Sequence, residues 1–342
     1  MSVTPSPSDL ESSLPIIKNG LIGYRNLLSY VSSLGLDVIP RASIQPDTWT
    51  QIDSGAFSTV WKATSNLRTR TVVAVKQPKA SFTREKAELE DELQNQALSS
   101  MIQELRILAH PKLKDHPNLP HALGVFFQEE ENPPGIRPCV VLELAISDLH
   151  NHLQMTPPNE LGGKEMVRLS SHVASGICAL HAYGLVHGDI KPKNTLLFVR
   201  DGKLVAAISD LGTCGVISQT SGVIPGTRSF YAPEVFEKSN FHHLANQPSR
   251  DVYSFGLLVF SILIRCSRDP FPHLEQFDIQ HDDLRCLKYL LDQLNPSSTV
   301  LELENVIKLT VKSNPADRAQ VFEVIEGIEI VSGEHRLVSS IL

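Results

Sequence analysis

Two short polar clusters constrain this chain more than any other stretch. They are His187-Gly188-Asp189-Ile190-Lys191-Pro192-Lys193-Asn194 and Asp210-Leu211-Gly212. Between them lie two apolar runs, Thr195 to Val199 and Leu204 to Ser209, separated by the strong turn signal Arg200-Asp201-Gly202-Lys203. The runs read as one hairpin, which sets the clusters side by side at its open end. A base, cations and metal ligands are thereby brought together.

The same residues resemble the eukaryotic protein kinases, whose catalytic loop reads H-R-D-L-K-P-x-N and whose metal loop reads D-F-G. The resemblance continues in order. Gly226-Thr227-Arg228-Ser229-Phe230-Tyr231-Ala232-Pro233-Glu234 is similar to the family's G-T-x-x-[FY]-x-A-P-E segment, and Asp251-Val252-Tyr253-Ser254-Phe255-Gly256 to its D-x-W-S-x-G helix. It covers roughly residues 48 to 330. It implies an α+β, two-lobed protein kinase fold, with a small β-rich lobe holding one main helix (48–143) and a larger helical lobe (144–330). An N-terminal extension (1–47) and a tail (331–342) flank them.

Composition narrows the class. With 342 residues and 42% hydrophobic content, the chain has material for two cores. A net charge of −7 argues against a general nucleic-acid or membrane-surface role, since either partner attracts a basic face. The longest apolar stretch, around Phe255 to Ile264, stops at Arg265, well short of the roughly 20 residues that a spanning helix needs. The five cysteines are scattered and form no C-x-x-C pair, which fits a reducing, intracellular setting, cytoplasmic or nuclear. The start is Ser- and Pro-rich and lacks the pattern of a signal peptide.

Residues 1 to 20 read as a flexible leader. Leu21, Ile22, Leu27, Leu28, Val31 and Leu34 then fall at helical spacing. Packing on the body of the domain is the plain reading of that stripe, and a regulatory partner surface the sharper one. Gln51 to Ala63 reads as strand, turn and strand. In the kinase pattern this hairpin folds over the ATP phosphates; Gly55 is kept, while Asp53 and Ser58 replace the first and third glycines. Thr71 to Lys76 is a β-branched run ending where the family places the lysine that contacts the α- and β-phosphates. The resemblance implies that Val60 and Ala74 cover adenine.

A glutamate on the next helix should hold Lys76. The segment Met101 to Leu108 carries the family's pattern and selects Glu104, with Glu92 as runner-up among Glu85, Glu88, Glu90 and Glu92. The 28 positions from Lys76 to Glu104 imply an extended helix or an insertion. Glu143-Leu144-Ala145 reads as the hinge whose backbone meets adenine. Leu142 would guard the rear of the pocket and Asp148 would reach the ribose. Ile52 and Leu196 complete the expected nucleotide contacts. Met166 to Tyr183 reads as a helix capped at Gly184. Arg318, in a segment similar to the family's closing P-x-x-R, should pair with Glu234.

Phosphoryl transfer is mainly positioning and charge neutralisation. The resemblance assigns Asp189 to orient the substrate hydroxyl and accept its proton, Lys191 to the transferring phosphate, and Asn194 and Asp210 to Mg²⁺, which prefers oxygen ligands. His187 and Leu211 should pack beneath them. Gly188 stands where the family has arginine, the residue that often binds an activation-loop phosphate; activity without such a phosphate is the expectation. Lys191 and Thr227 go with serine/threonine specificity. The expectation is thus a Mg-dependent protein serine/threonine kinase using ATP and a protein substrate. The alternative is a pseudokinase acting as a nucleotide-binding or scaffold module, kept open by the altered glycine loop.

Overall fold

The computed structural model describes residues 24–67, 70–79, 82–83, 91–131, 134–157, 160–217, 226–236, 247–266, 269–271, 282–294 and 300–324. Several expectations lie outside these residues: the leader, Glu85, Glu88 and Glu90, and the tail; so do Ser218, Thr220 and Ser221, between Asp210 and Glu234. The chain divides into two compact units. One comprises Met1–Asp115 with Pro120–Leu144, the other His116–Leu119 with Ala145–Leu342.

The first unit contains β1 (Thr50–Ser54), β2 (Ser58–Leu67), β3 (Arg70–Pro78), β4 (Phe82–Thr83), β5 (Ala122–Glu131) and β6 (Pro134–Glu143). They form one six-stranded sheet in the order β1-β2-β3-β6-β4, with β5 also paired to β6. Every pairing is antiparallel. Alternation along β3 sends Val73 and Val75 into a core with Ala63, Phe126, Cys139 and Val141, while Ala74 and Lys76 take the opposite face. Helix α1 (Tyr24–Ser33) lies within the expected helical stretch and buries Val31 of its stripe together with Tyr30, while Leu21 and Ile22 lie outside the described residues. Burial raises the Tyr30 hydroxyl pKa, and the positive charge of Arg106 beside it offsets part of that rise.

After α1 the chain runs as a strap along this sheet. Val38 bridges to Val125 in β5 and Ile44 to Ser65 in β2, and Ile39 and Ile44 enter the core. The crossing is so close at Gly124 that a Cβ there would stand 2.5 Å from the Asp37 carbonyl oxygen. Arg41 lies over Trp49 and Phe126, its guanidinium carbon 5.2 and 5.3 Å from the ring centroids. Helix α2 (Asp91–Ala109) buries Ala97, Met101, Leu105 and Leu108, the spacing of one helix face.

The second unit is mainly helical. It has β7 (Ser147–Asp148), α3 (Leu149–Met155), α4 (Gly163–Ala182), β8 (Leu185–Val186), β9 (Thr195–Arg200), β10 (Lys203–Ile208), β11 (Gly215–Val216), α5 (Pro248–Leu263), α6 (Asp283–Leu291) and α7 (Leu301–Thr310). Helix α5 is buried from Arg250 to Leu263, so its long apolar run is core. It meets α7 closely at Gly256, where a Cβ would stand 2.2 Å from Thr310 Oγ1. Helix α4 ends as its capping signal requires, with Gly184 at φ +70° and its N–H donating to the His181 carbonyl at 3.0 Å.

Candidate active site

The hairpin that organises the second unit closes as Asp201-Gly202 dictates. Both residues have positive φ, +51° and +73°, in a two-residue turn whose hand suits the strand twist. The register runs from Lys203↔Arg200 to Ile208↔Thr195. At the open end Ser209 donates from its N–H to the Asn194 carbonyl at 2.8 Å, so Asn194 and Asp210 are held as neighbours. Asp210 itself sits in the left-handed region at φ +64°, an unusual conformation for a residue with a side chain. Beneath, His187 is fully buried and hydrogen-bonds the Ser209 carbonyl through Nε2 at 2.8 Å, and Leu211 is buried too.

Asp189 is gripped by three donors from two segments. Oδ1 accepts the Thr227 backbone N–H at 2.7 Å; Oδ2 accepts Lys191 Nζ at 2.7 Å and Asn194 Nδ2 at 2.8 Å. Lys191 Nζ also donates to Thr227 Oγ1 at 2.5 Å. Asn194 Nδ2 donates a second time, to the Asp189 carbonyl at 2.9 Å, which fixes the amide so that Oδ1 is its outward acceptor. An amide oxygen and a carboxylate from residues on adjoining strand ends are a donor set of the kind Mg²⁺ takes.

Helix α5 supports this loop through Asp251, which has no exposed surface. Its carboxylate accepts the backbone N–H groups of His187 and Gly188, each at 2.8 Å, and hydrogen-bonds His181 Nε2 at 2.8 Å. Burial alone would raise its pKa. The hydrogen bond and charge of His181 and the Gly188 N–H outweigh that and bring it below the ordinary value.

In the first unit Lys76 Nζ meets Glu104 Oε2 at 2.7 Å, both side chains largely buried. Glu92 lies on the same helix, its side chain outside the described residues. The strand registers place Val60 opposite Lys76 and Leu142 opposite Ala74, so Val60, Ala74, Lys76 and Leu142 share the sheet face away from the core. Ile52 falls at the bulge of β1 and is half exposed. Gly55 donates its N–H to the Ser58 carbonyl at 2.9 Å and accepts Lys79 Nζ at 2.5 Å. Lys79, a residue with no motif, thus pins the turn from the end of β3.

Glu143 closes β6 and is buried. Its carboxylate accepts the His121 backbone N–H at 3.0 Å, and its own N–H donates to the His121 carbonyl at 3.1 Å. Ala145 begins the second unit, where Asp148 and Leu196 are cross-strand partners of β7 and β9. Asp148 caps α3: one carboxylate oxygen accepts the Asn151 N–H and the other its side-chain amide, each at 2.8 Å. A ribose hydroxyl at Asp148 would share those oxygens with the cap. Expected from the sequence and found in place, Arg318 forms a two-toothed ion pair with Glu234, at 2.6 and 2.7 Å.

A β-sheet unit with one main helix, followed by a helical unit that carries the loop of Asp189, is the two-lobed protein kinase fold. The family description "Protein kinase domain" matches residues 47–327, and the chain belongs to that family. Among curated proteins it is similar to the serine/threonine-protein kinase PkaA of Streptomyces coelicolor, 27% identical over 190 residues (54% of this chain, 32% of that protein). It is also similar to the inhibitor of nuclear factor kappa-B kinase subunit alpha of Danio rerio, 30% over 204 residues (53% and 26%). A third relative is the serine/threonine-protein kinase ppk6 of Schizosaccharomyces pombe, 23% over 275 residues (75% and 32%). The chain therefore spans about a third or less of the length of these relatives. Among the described residues no helix is long and apolar enough to cross a membrane.

Proposed function

We propose that the chain transfers the γ-phosphoryl group of ATP to serine or threonine hydroxyls of protein substrates, with Mg²⁺ as cofactor. The observation that carries this reading is the grip on Asp189 from Thr227, Lys191 and Asn194. A carboxylate held by three donors has a fixed plane, so an incoming hydroxyl meets an acceptor of defined direction. The hydroxyl proton passes to Asp189 as the new oxygen–phosphorus bond forms; the bond between the γ-phosphorus and the bridging oxygen breaks and ADP leaves.

Lys191 supplies positive charge to the transferring group, and Lys76, held by Glu104, to the α- and β-phosphates. Asn194 and Asp210 would hold the metal, which when bound neutralises charge on the β- and γ-phosphate oxygens. Ile52, Val60, Ala74, Leu142 and Leu196 would wall the adenine, Glu143 and Ala145 would meet it through backbone groups, Asp148 would take the ribose and Gly55 would approach the phosphates. The Lys191–Thr227 contact supports serine/threonine over tyrosine. An intracellular setting, a kinase domain running from 48 to 330, and a regulatory surface on the extension belong to the same reading.

The test is transfer of labelled phosphate from ATP to serine/threonine and to tyrosine peptides, with Mg²⁺ and with chelator. Asp210→Asn should abolish transfer while thermal unfolding stays as in the parent. Transfer that survives chelation, or Asp210→Asn at parental rates, would refute the metal site. A parent that binds ATP and transfers nothing would favour the non-catalytic binding module, to which the substitutions Asp53 and Ser58 in the glycine loop already lend weight.

A further inference from the structure

Arg250 stands in the first turn of α5 with no exposed surface. Burying a guanidinium is costly unless its N–H groups and charge are used. Here Nη2 donates to the Gly188 carbonyl at 2.8 Å, while the adjacent Asp251 accepts the Gly188 N–H at 2.8 Å. Two consecutive side chains of one helix thus hold both backbone groups of a single residue, which sits at φ +77°. The captured carbonyl belongs to the peptide that ends at the Asp189 nitrogen, and that N–H donates to His187 Nδ1 at 3.2 Å. Arg250 therefore fixes the peptide plane from which the Asp189 side chain projects.

A second contact leads to the opposite wall of the site. The guanidinium carbon lies 5.2 Å from the Tyr231 ring centroid. The Tyr231 hydroxyl accepts the Gly226 N–H at 2.9 Å and donates to the Gly226 carbonyl at 2.8 Å. Gly226 is wedged among these groups: a Cβ there would stand 2.6 Å from the Gly188 carbonyl oxygen, 2.7 Å from the Tyr231 ring and 3.0 Å from Arg250 Nη2. The next residue, Thr227, donates its N–H to Asp189. The carboxylates of Asp251, Asp189 and Glu234 supply the negative field around the guanidinium.

We propose that Arg250 is a positioning residue that couples the Asp189 loop to the 226–231 segment, holding the proton acceptor and Thr227 in register by a cation built into α5. Its catalytic consequence rests on the function proposed above. The coupling itself does not.

Arg250→Lys and Arg250→Gln in the full chain test it by steady-state kinetics and by hydrogen exchange. For Arg250→Gln, kcat should fall about 10- to 100-fold, the loss expected from small misplacement of reacting groups. KM for ATP should stay within about twofold, and Arg250→Lys should lie between. Amide exchange should quicken together in 187–190 and 226–231, ahead of the interiors of α4 and α5. If Arg250→Gln does not fold, Tyr231→Phe, which removes the bridge to Gly226 and leaves the guanidinium paired, should show the same kcat loss and faster exchange at 226–227. Unchanged kcat in folded variants, a rise in KM for ATP with kcat intact, or exchange that quickens equally throughout the helices would overturn the proposal. A parent without transferase activity would sink the functional reading instead, and the exchange pattern alone would then decide the coupling.

Discussion

Arg318→Met should be the most destabilising single change in the second unit. A guanidinium has five N–H donors, and Arg318 uses all of them. Two go to Glu234; the others go to the carbonyls of Lys312 at 2.8 Å, Ser249 at 2.9 Å and Ser313 at 3.1 Å. The side chains of Arg318 and Glu234 are 0% and 4% exposed, so water cannot take over for lost partners. Methionine fills much of the volume but strands a buried carboxylate and three carbonyls, which should cost about 3–5 kcal/mol. At a urea slope of about 2 kcal/mol/M this lowers the unfolding midpoint by about 1.5–2.5 M.

Far-UV circular dichroism is the probe for this transition, because the helices α4, α5 and α7 lie in the second unit. The fluorescence of Trp49 and Trp61, the chain's two tryptophans, reports the first unit and serves as the control. Arg318→Lys, with three donors and no planar fork, should fall between parent and methionine variant. Glu234→Met combined with Arg318→Met should lose clearly less than the sum of the single changes, by about 1–3 kcal/mol, because each single change leaves a charge unpaired. Additive losses within about 0.5 kcal/mol would refute the argument that the pair's cost lies in the stranded partner.

Three further expectations follow from the site and its surroundings. Glu104→Gln should reduce transferase activity clearly more than Glu92→Gln, and the reverse order in parallel assays would shift the register assigned to α2. Protein treated with phosphatase until mass spectrometry finds no phosphate in residues 210–234 should keep most of its activity, as should the Ser218, Thr220 and Ser221 triple alanine variant; loss restored by rephosphorylation would show that another cation, Arg228 among them, reads a loop phosphate. Acid should weaken the fold through His116 and His172, whose pKa values are lowered to about 4, chiefly by burial and further by nearby arginines. Each accepts a backbone N–H through Nδ1, from Asn118 at 3.2 Å and from Ala206 at 3.3 Å, which requires the neutral ring. Their stabilisation is complete above the unfolded pKa of about 6.5 and drains as pH falls from there toward 4, at up to about 1.4 kcal/mol per pH unit for each histidine. His172→Gln should make the slope of stability against pH shallower in that window; an unchanged slope would refute the assignment.

Parts of the fold follow from local signals strong enough to act alone. Asp201-Gly202 requires the hairpin, because both turn positions need positive φ, and Gly184 ends α4 for the same reason. The pairing of Arg318 with Glu234 across 84 positions came from motif order rather than from spacing. Other features carry no local signature. The strap of residues 36–49 contributes Ile39 and Ile44 to a core without helical or strand periodicity, since what orders it is the sheet beneath. Arg250 reads as a polar start to an apolar helix. Only the fold shows Gly188 and Tyr231 on either side of it. Asp148 reads in the sequence as a ribose ligand, and the structure adds its role as the cap of α3, a contact that the chain makes with itself.

The distance in sequence between Glu234 and Arg318 also sets an order of events at birth. The six-stranded sheet is complete once residue 143 has been made, and the first unit ends at Leu144, with only 116–119 inside that span belonging to the second unit. The second unit has to wait. A ribosome adding about 5–20 residues per second needs about 4–17 s to travel the 84 positions from Glu234 to Arg318. For part of that interval, from the completion of α5 at Leu263 until α7 (Leu301–Thr310) is made, the face of α5 that α7 covers at Gly256 has no partner. The second half of this molecule is thus the half that holdase chaperones would meet during translation, and the half in which a slowed or prematurely ended chain would aggregate.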